Sequence, residues 1–147
     1  MNPADRTAPS QTDSIAFEFD LQHPPEKVWR ALTDPELLAQ WLLPVLGLEL
    51  APGKAFTFQT QAFPGWDGTV HCRMLEIEAH KKLSYTWAVP GMDTVVTFTL
   101  APSATGTRLS LVHSGFKPEQ KNNFAGARYG WKLMGGKLDD LLERSTR

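Results

Sequence analysis

The sequence predicts an α+β fold in which a curved antiparallel sheet of about six to seven strands wraps around a long C-terminal helix. Three observations lead to this prediction. Apolar and polar residues alternate with period two through much of the chain up to residue 113, and short turn signals separate these stretches. Beyond residue 121 the apolar spacing changes to three and four residues, which is typical of a helix. Strands joined by short turns pair antiparallel, and the long helix is the one element able to cover their apolar face.

The first predicted elements of this fold are one strand and two short helices. Residues 15–21 alternate apolar and polar side chains, which predicts a half-buried strand. Pro24-Pro25 ends that strand and begins a short helix that reaches about Leu32, because proline is tolerated in a first helical turn. The run Asp34-Pro35-Glu36 repeats the start signal with Asp34 as the cap, so a second short helix is expected to reach about Trp41.

The middle of the chain, from Leu48 to His113, is predicted to form strands joined by turns. Alternation and β-branched or aromatic residues mark stretches at 54–62, 69–78, 83–87, 94–100 and 108–113. Glycine and proline pairs mark most of the turns between them. Leu83, Tyr85 and Trp87 share one face of their strand, and Leu109, Leu111 and His113 share one face of theirs.

The C-terminal stretch is predicted to be one helix with a single buried stripe. The stripe consists of Phe124, Ala127, Trp131, Met134, Leu138, Leu141 and Leu142. Four glycines interrupt the helix, at positions 126, 130, 135 and 136. Each costs about 1 kcal/mol relative to alanine. Either the helix approaches the sheet closely at these positions, or the missing side chains leave space for a ligand beneath the sheet; a kink is a further option.

Composition places these elements in one domain and excludes several classes of function. Of the 147 residues, positions 1–13 are predicted to be a flexible tail and 14–147 a single domain. The formal net charge of −1 gives no basic surface for nucleic acid. No apolar run reaches the ~20 residues that a membrane span needs, and the N-terminus lacks the features of a secretion signal, so a cytoplasmic location is expected.

The sequence contains no recognisable metal, phosphate or nucleophile motif. The histidines, His23, His71, His80 and His113, have no metal-ligand spacing, and Cys72 has no partner cysteine. His71 and Cys72 are adjacent in a strand, so their side chains point to opposite faces and cannot form a catalytic pair. No metal ion or cofactor is therefore expected.

A small apolar ligand site is the leading functional prediction. The inward-facing candidates are Trp87, Phe98, His113, Trp131 and Met134, followed by Phe56 and Tyr85. Such residues line ligand pockets, but they equally fill cores. His113 continues the inward face of its strand, where it would give a ligand one polar contact or act as a general acid or base. The alternative is a partly exposed histidine at a strand end, bonded to the backbone.

Four segments resemble one known family. They are residues 24–36 (PPEKVWRALTDPE) with Trp41 after them, residues 83–87 (LSYTW), residues 106–116 (GTRLSLVHSGF), and Gly130-Trp131 with Leu138 and Leu141-Leu142. In order and spacing, over about residues 14 to 143, they are similar to the heat-shock protein 90 ATPase activator homologue family. That family belongs to the START-like, birch-pollen-allergen-like superfamily.

The resemblance implies a helix-grip fold, often with an apolar cavity between the long helix and the sheet. Superfamily members bind lipids, steroids, polyketides or plant hormones, a few are cyclases, and eukaryotic members stimulate a chaperone's ATPase. It thus also implies an association with stress responses. Three functions stay open: a module that binds a small hydrophobic molecule, a polyketide cyclase-like enzyme using His113, and a domain that binds a chaperone or another protein. The last predicts an exposed apolar patch, at Trp41, Leu42 and Leu43 or at Phe63 and Trp66.

Overall fold

The computed structural model describes residues 4–5, 7, 13–62 and 64–144. Its helices are α1 (Pro25–Thr33), α2 (Pro35–Trp41) and α3 (Lys121–Arg144). Its strands are β1 (Ala4–Asp5), β2 (Ser14–Leu21), β3 (Val45–Leu46), β4 (Ala55–Gln59), β5 (Thr69–Glu78), β6 (Lys82–Val89), β7 (Met92–Ser103) and β8 (Gly106–Ser114). Among the described helices, none is long and apolar enough to cross a membrane.

The strands form one curved antiparallel sheet in the order β1-β2-β8-β7-β6-β5-β4-β3, and α3 packs on it. This architecture confirms the predicted helix-grip fold. The described sheet has eight strands where six to seven were expected, because it includes two strands of only two residues, β1 and β3. Strands so short cannot show an alternating pattern in the sequence.

Part of the segment for which a flexible tail is predicted, residues 1–13, contacts β2. Ala4 and Asp5 pair with Glu18 and Phe17 of β2. The Thr7 hydroxyl oxygen accepts a hydrogen bond of 3.0 Å from the backbone N–H of Ala16. The flexible tail stays a prediction, and residues 1–3, 6 and 8–12 lie outside the described residues.

The two short helices form as their start signals predict. Both carry proline in the first turn, and the Asp34 carboxylate accepts a hydrogen bond of 2.9 Å from the backbone N–H of Glu36 at the start of α2. The Trp41 indole N–H donates a bond of 2.8 Å to the carbonyl oxygen of Ala31, which ties the end of α2 to α1. The two helices therefore pack as one unit beside α3, which contacts both of them.

The glycines of α3 have different surroundings. A Cβ atom on Gly135 would lie only 2.3 Å from the ring of Phe19, so at this position the helix does approach the sheet closely. A Cβ on Gly126, Gly130 or Gly136 would meet no described atom within 4 Å. Close approach is thus the right explanation for Gly135 and the wrong one for the other three.

Candidate ligand site between the sheet and the long helix

The inner face of the sheet becomes partly exposed at one end of β6. Along this strand Leu83 and Tyr85 are buried, whereas Trp87 and Val89, which point to the same side, are only half-buried. Across the interface, α3 contributes Met134, which is half-buried as well. Apolar side chains of both elements are therefore partly exposed, and the region around Trp87, Val89 and Met134 is called the opening.

The predicted site residues meet around Trp131 of α3. Its indole ring lies 5.8 Å from the ring of Trp87, 6.1 Å from Phe98 and 6.0 Å from His113, measured between ring centroids. Tyr85 joins this cluster through Phe98, at 6.2 Å. The structure thus brings three strands, β6, β7 and β8, together with α3 at one aromatic cluster, because alternation points each of the strand side chains to the same face.

The remaining two candidates stand at the edges of the aromatic cluster. Phe56 contacts Tyr85, with ring centroids 5.2 Å apart, and so extends the cluster over β4. Met134 packs against the core from α3, half-buried and one turn beyond Trp131. Phe56 is thus at the deep end of the cluster and Met134 at its open end.

Three residues of the site were not predicted. Phe58 lies 5.3 Å from Trp87 and 6.0 Å from Tyr85, between the opening and the deeper core. Phe116 stacks 4.7 Å from His113, and Thr94 bonds to the same imidazole. Phe58 shares a face with Phe56 in the sequence, which was a usable signal, whereas Phe116 follows the last strand and shows no periodicity.

His113 is a buried histidine whose two ring nitrogens are both bonded to side chains. The Trp131 indole N–H donates a 2.9 Å bond to Nδ1. Nδ1 therefore carries no proton, so in the neutral ring Nε2–H donates to the Thr94 hydroxyl oxygen, 2.7 Å away. The Thr94 hydroxyl in turn donates to the carbonyl oxygen of Trp87 at 2.7 Å. This arrangement corrects the expectation of a partly exposed histidine bonded to the backbone, since the side chain is 1% exposed.

The burial of His113 removes its support as a general acid or base. Desolvation lowers the pKa of the imidazole to about 3, so the ring is neutral near neutral pH. Proton exchange with a ligand would require one of its two hydrogen bonds to break. The cyclase-like hypothesis rested on this one residue, and the geometry gives it a structural task instead.

Tyr85 has a buried hydroxyl without a hydrogen-bond partner among the described residues. The side chain is 2% exposed, and the rings of Phe56, Phe58 and Phe98 surround it. Burial, with a smaller effect from Cys72, raises the pKa of the phenol well above its ordinary value. An unpaired polar group in such surroundings is uncommon in a folded protein.

Cys72 and His71 show no joint chemistry. The Cys72 thiol is buried on the inner face of β5, and desolvation raises its pKa to about 12. The His71 side chain is exposed on the opposite face, as predicted for neighbours in a strand. Within the part of the chain that the structure describes, no three histidine, cysteine or acidic side chains are grouped as metal ligands.

Two shallow grooves lie over β5 and β6; the first also includes Val89, and the second also includes Phe56 and Cys72. They have volumes of about 520 and 500 Å³, and both are lined by His71 and Ala88. The first continues to Trp66 and the second to Leu46. On the inner face the rings contact one another, so a ligand that enters the cluster must displace a side chain.

The apolar patch predicted at the end of α2 is not exposed. Trp41 and Leu42 are buried, and Leu43 is half-buried. The prediction fails because the Trp41 ring packs 6.4 Å from Phe98 while its N–H is bonded to α1. At the second location Trp66 is half-buried, and Phe63 lies outside the described residues.

Comparisons with known proteins agree with this architecture. The family model described as "Activator of Hsp90 ATPase homolog 1-like protein" matches residues 22–143. Protein MLL2253 from Mesorhizobium loti is 38% identical with a TM-score of 0.84, over 91% of this chain and 99% of that chain. Protein CV1439 from Chromobacterium violaceum is 28% identical with a TM-score of 0.76, over 92% and 100%.

One further structure is similar in fold alone. DynU16, a protein of the dynemicin biosynthetic locus, is 23% identical with a TM-score of 0.77, over 91% of this chain and 48% of that one. A search of curated proteins found no match.

Proposed function

Because the chain belongs to the Activator of Hsp90 ATPase homolog 1-like family, a family of helix-grip domains, we propose that it binds a small, apolar or aromatic molecule between the sheet and α3. The observation that carries this proposal is the half-buried state of Trp87 and Val89, which follow the buried Leu83 and Tyr85 on the inner face of β6. The molecule enters at this opening and contacts the aromatic cluster behind it.

The opening offers apolar surface that a ligand would remove from water. Trp87 and Val89 come from β6, and Ala127 and Met134 come from α3. Each square ångström of apolar surface buried stabilises a complex by roughly 25 cal/mol, before the cost of association. A ligand that covers these four side chains therefore gains affinity from burial alone.

Gly130 leaves space on the α3 side of the opening. It lies three residues after Ala127 and four before Met134, so all three share one face of the helix. A Cβ atom at this position would meet nothing within 4 Å. This open space supports the explanation that the glycine makes room for a ligand.

Trp87 is suited to move aside during binding. The indole nitrogens of Trp41 and Trp131 are each held by a hydrogen bond, to Ala31 and His113. No described residue is hydrogen-bonded to the indole nitrogen of Trp87, whose ring is half-buried at the opening. Its rotation therefore breaks ring contacts but no hydrogen bond.

The chemistry of the cluster favours a ligand whose buried part is uncharged. Among the described residues of the core, no charged side chain joins Trp87, Phe98, Trp131 and Met134, and the His113 ring is neutral. Burying an unpaired charge among such residues is costly. Fatty acids, sterols, flavonoids and polyketide-like aromatics, the last being ligands of superfamily members, are therefore the compounds to test.

The proposal is tested by closing the opening with one substitution. The probe is N-phenyl-1-naphthylamine, an uncharged aromatic amine whose fluorescence rises on burial, and the panel compounds are scored by its displacement. Gly130→Leu places an apolar side chain in the open space, and we expect the probe to bind about tenfold more weakly, a loss of ~1.4 kcal/mol. Equal affinity in Gly130→Leu and the wild type would contradict the proposal.

Gly136→Leu is the matched control. Gly136 also has open space around its Cβ position, but it is nine residues after Ala127 and therefore lies on the opposite side of α3 from it, outside the stripe. Both substitutions replace a helical glycine by a good helix former, so both variants should be at least as stable as the wild type. Probe affinity should be unchanged in the control.

A further inference from the structure

We infer that the ligand carries an uncharged hydrogen-bond acceptor, such as a carbonyl oxygen, that pairs with the hydroxyl of Tyr85. This inference rests on the proposed function and names the chemical class of its ligand. Tyr85 is then the residue that sets specificity within a cluster that otherwise recognises shape and apolar surface.

The unpaired state of this hydroxyl is the main observation. Three phenylalanine rings enclose Tyr85, with centroids 5.2 to 6.2 Å from its own. Its oxygen has no hydrogen-bond partner among the described residues. A phenylalanine would fill the same space without this unpaired group, so the oxygen is placed for a partner that the described residues do not supply.

The Tyr85 side chain lies one position deeper than Trp87 on the inner face of β6. Tyr85 and Trp87 share the inner face of β6 and are two residues apart, or about 7 Å along the strand. Phe58 contacts both rings. A flat molecule of two fused rings that displaces Trp87 therefore reaches Tyr85 from the opening.

The surroundings of Tyr85 decide which polar group it can bind. Since burial raises its pKa, the phenol keeps its proton and donates it. The neighbouring Cys72 thiol is neutral, and the nitrogens of His113 are already bonded. No described cation of the cluster would offset a buried carboxylate, so a neutral acceptor is the group that fits.

The experiment compares two probes of nearly equal shape, 2-acetylnaphthalene and 2-isopropylnaphthalene. The first carries a carbonyl oxygen where the second carries a methyl group. Dissociation constants of both are measured for the wild type, for Tyr85→Phe and for Phe56→Leu, a control that alters a ring beside Tyr85 and keeps the hydroxyl. The melting temperature of each ligand-free protein is measured as well.

We expect the wild type to bind the ketone about tenfold more tightly than the hydrocarbon, as one buried hydrogen bond allows. Tyr85→Phe should remove this preference and leave hydrocarbon binding intact, whereas Phe56→Leu should keep the preference. The ligand-free Tyr85→Phe protein should melt at or above the wild-type temperature, because it loses an unpaired group.

Two results overturn the inference in distinguishable ways. If both probes bind and Tyr85→Phe keeps the preference of the wild type, the proposed function stands and the role of Tyr85 is refuted. A lowered melting temperature in that variant would then show that the hydroxyl serves a structural water. If neither probe binds the wild type, the proposed function fails and the inference fails with it.

Discussion

The Trp131 indole N–H donates a hydrogen bond to Nδ1 of His113 across the interface between α3 and β8, at 2.9 Å. Both side chains are buried, and the other ring nitrogen of the imidazole, Nε2, is hydrogen-bonded to the Thr94 hydroxyl. The bond therefore holds the face of α3 that carries Trp131 against the inner face of the sheet.

Removing the donor of this bond should destabilise the protein. Trp131→Phe leaves Nδ1 of His113 buried without a partner, and we expect a loss of about 1–3 kcal/mol in the free energy of unfolding, beyond the loss of ring area. Urea unfolding measures it. The control is Trp87→Phe, which removes an indole that has no hydrogen bond to a described residue and should cost less. Equal losses in the two variants would contradict the role of the bond.

His113 should make stability depend on pH. In the folded state the pKa of the imidazole is lowered to about 3 by burial, from an ordinary value of 6.5. Between these values the unfolded chain binds more protons than the folded one. This contribution is therefore complete above pH 6.5 and is lost as the pH falls, by at most about 1.4 kcal/mol per pH unit.

The measurement compares unfolding free energies of the wild type and His113→Leu between neutral and acidic pH. Carboxylates contribute to both proteins, so the difference between the two slopes isolates the histidine. The wild type should lose stability more steeply on acidification. Parallel curves would mean that His113 titrates alike in both states, in conflict with its burial.

Gly135 and Gly130 should respond oppositely to alanine. At Gly135 the new Cβ would meet the Phe19 ring at 2.3 Å, so we expect overpacking to cost about 1–3 kcal/mol despite the better helix propensity. At Gly130 nothing stands within 4 Å, and alanine should stabilise by up to ~1 kcal/mol. Thermal unfolding of the two alanine variants measures these changes. If the Phe19 ring causes the loss in Gly135→Ala, adding Phe19→Leu should restore part of the lost stability.

Cys72 should be unreactive until the protein unfolds. Its thiol is buried and its pKa is raised to about 12, so little thiolate forms at neutral pH. We expect no reaction with a disulfide reagent such as Ellman's in native buffer, and complete reaction in concentrated guanidinium chloride. Rapid labelling of the native protein would show that the inner face around Cys72 opens.

The sequence contained most of the fold because its signals are local. The alternation at residues 15–21 predicts strand β2, and the Asp34 cap predicts the start of helix α2. It could not reveal β1 and β3, since two residues carry no period. The exposure of Trp41 was predicted wrongly because the contact that buries it, with Phe98, joins elements far apart in the chain.

The sequence predicts on which face of the sheet the site residues lie, but it does not predict their hydrogen-bond partners. Alternation places Tyr85, Trp87 and His113 on the inner face, where the structure has them. The bonding of His113 to Thr94 depends on the register of β7 against β8, which no local pattern encodes. The unpaired hydroxyl of Tyr85 is likewise a property of packing.

The most direct test of the proposed ligand site is an NMR titration that follows backbone amides and tryptophan indole N–H signals while fatty acids, sterols, flavonoids and polyketide-like aromatics are added. The account predicts that at least one compound shifts the Trp87 indole and the amides of Trp131 and Met134 saturably, with Tyr129 unaffected. Shifts confined to the outer face around His71 and Ala88, or no saturable shift with any compound, would contradict a ligand site between the sheet and α3.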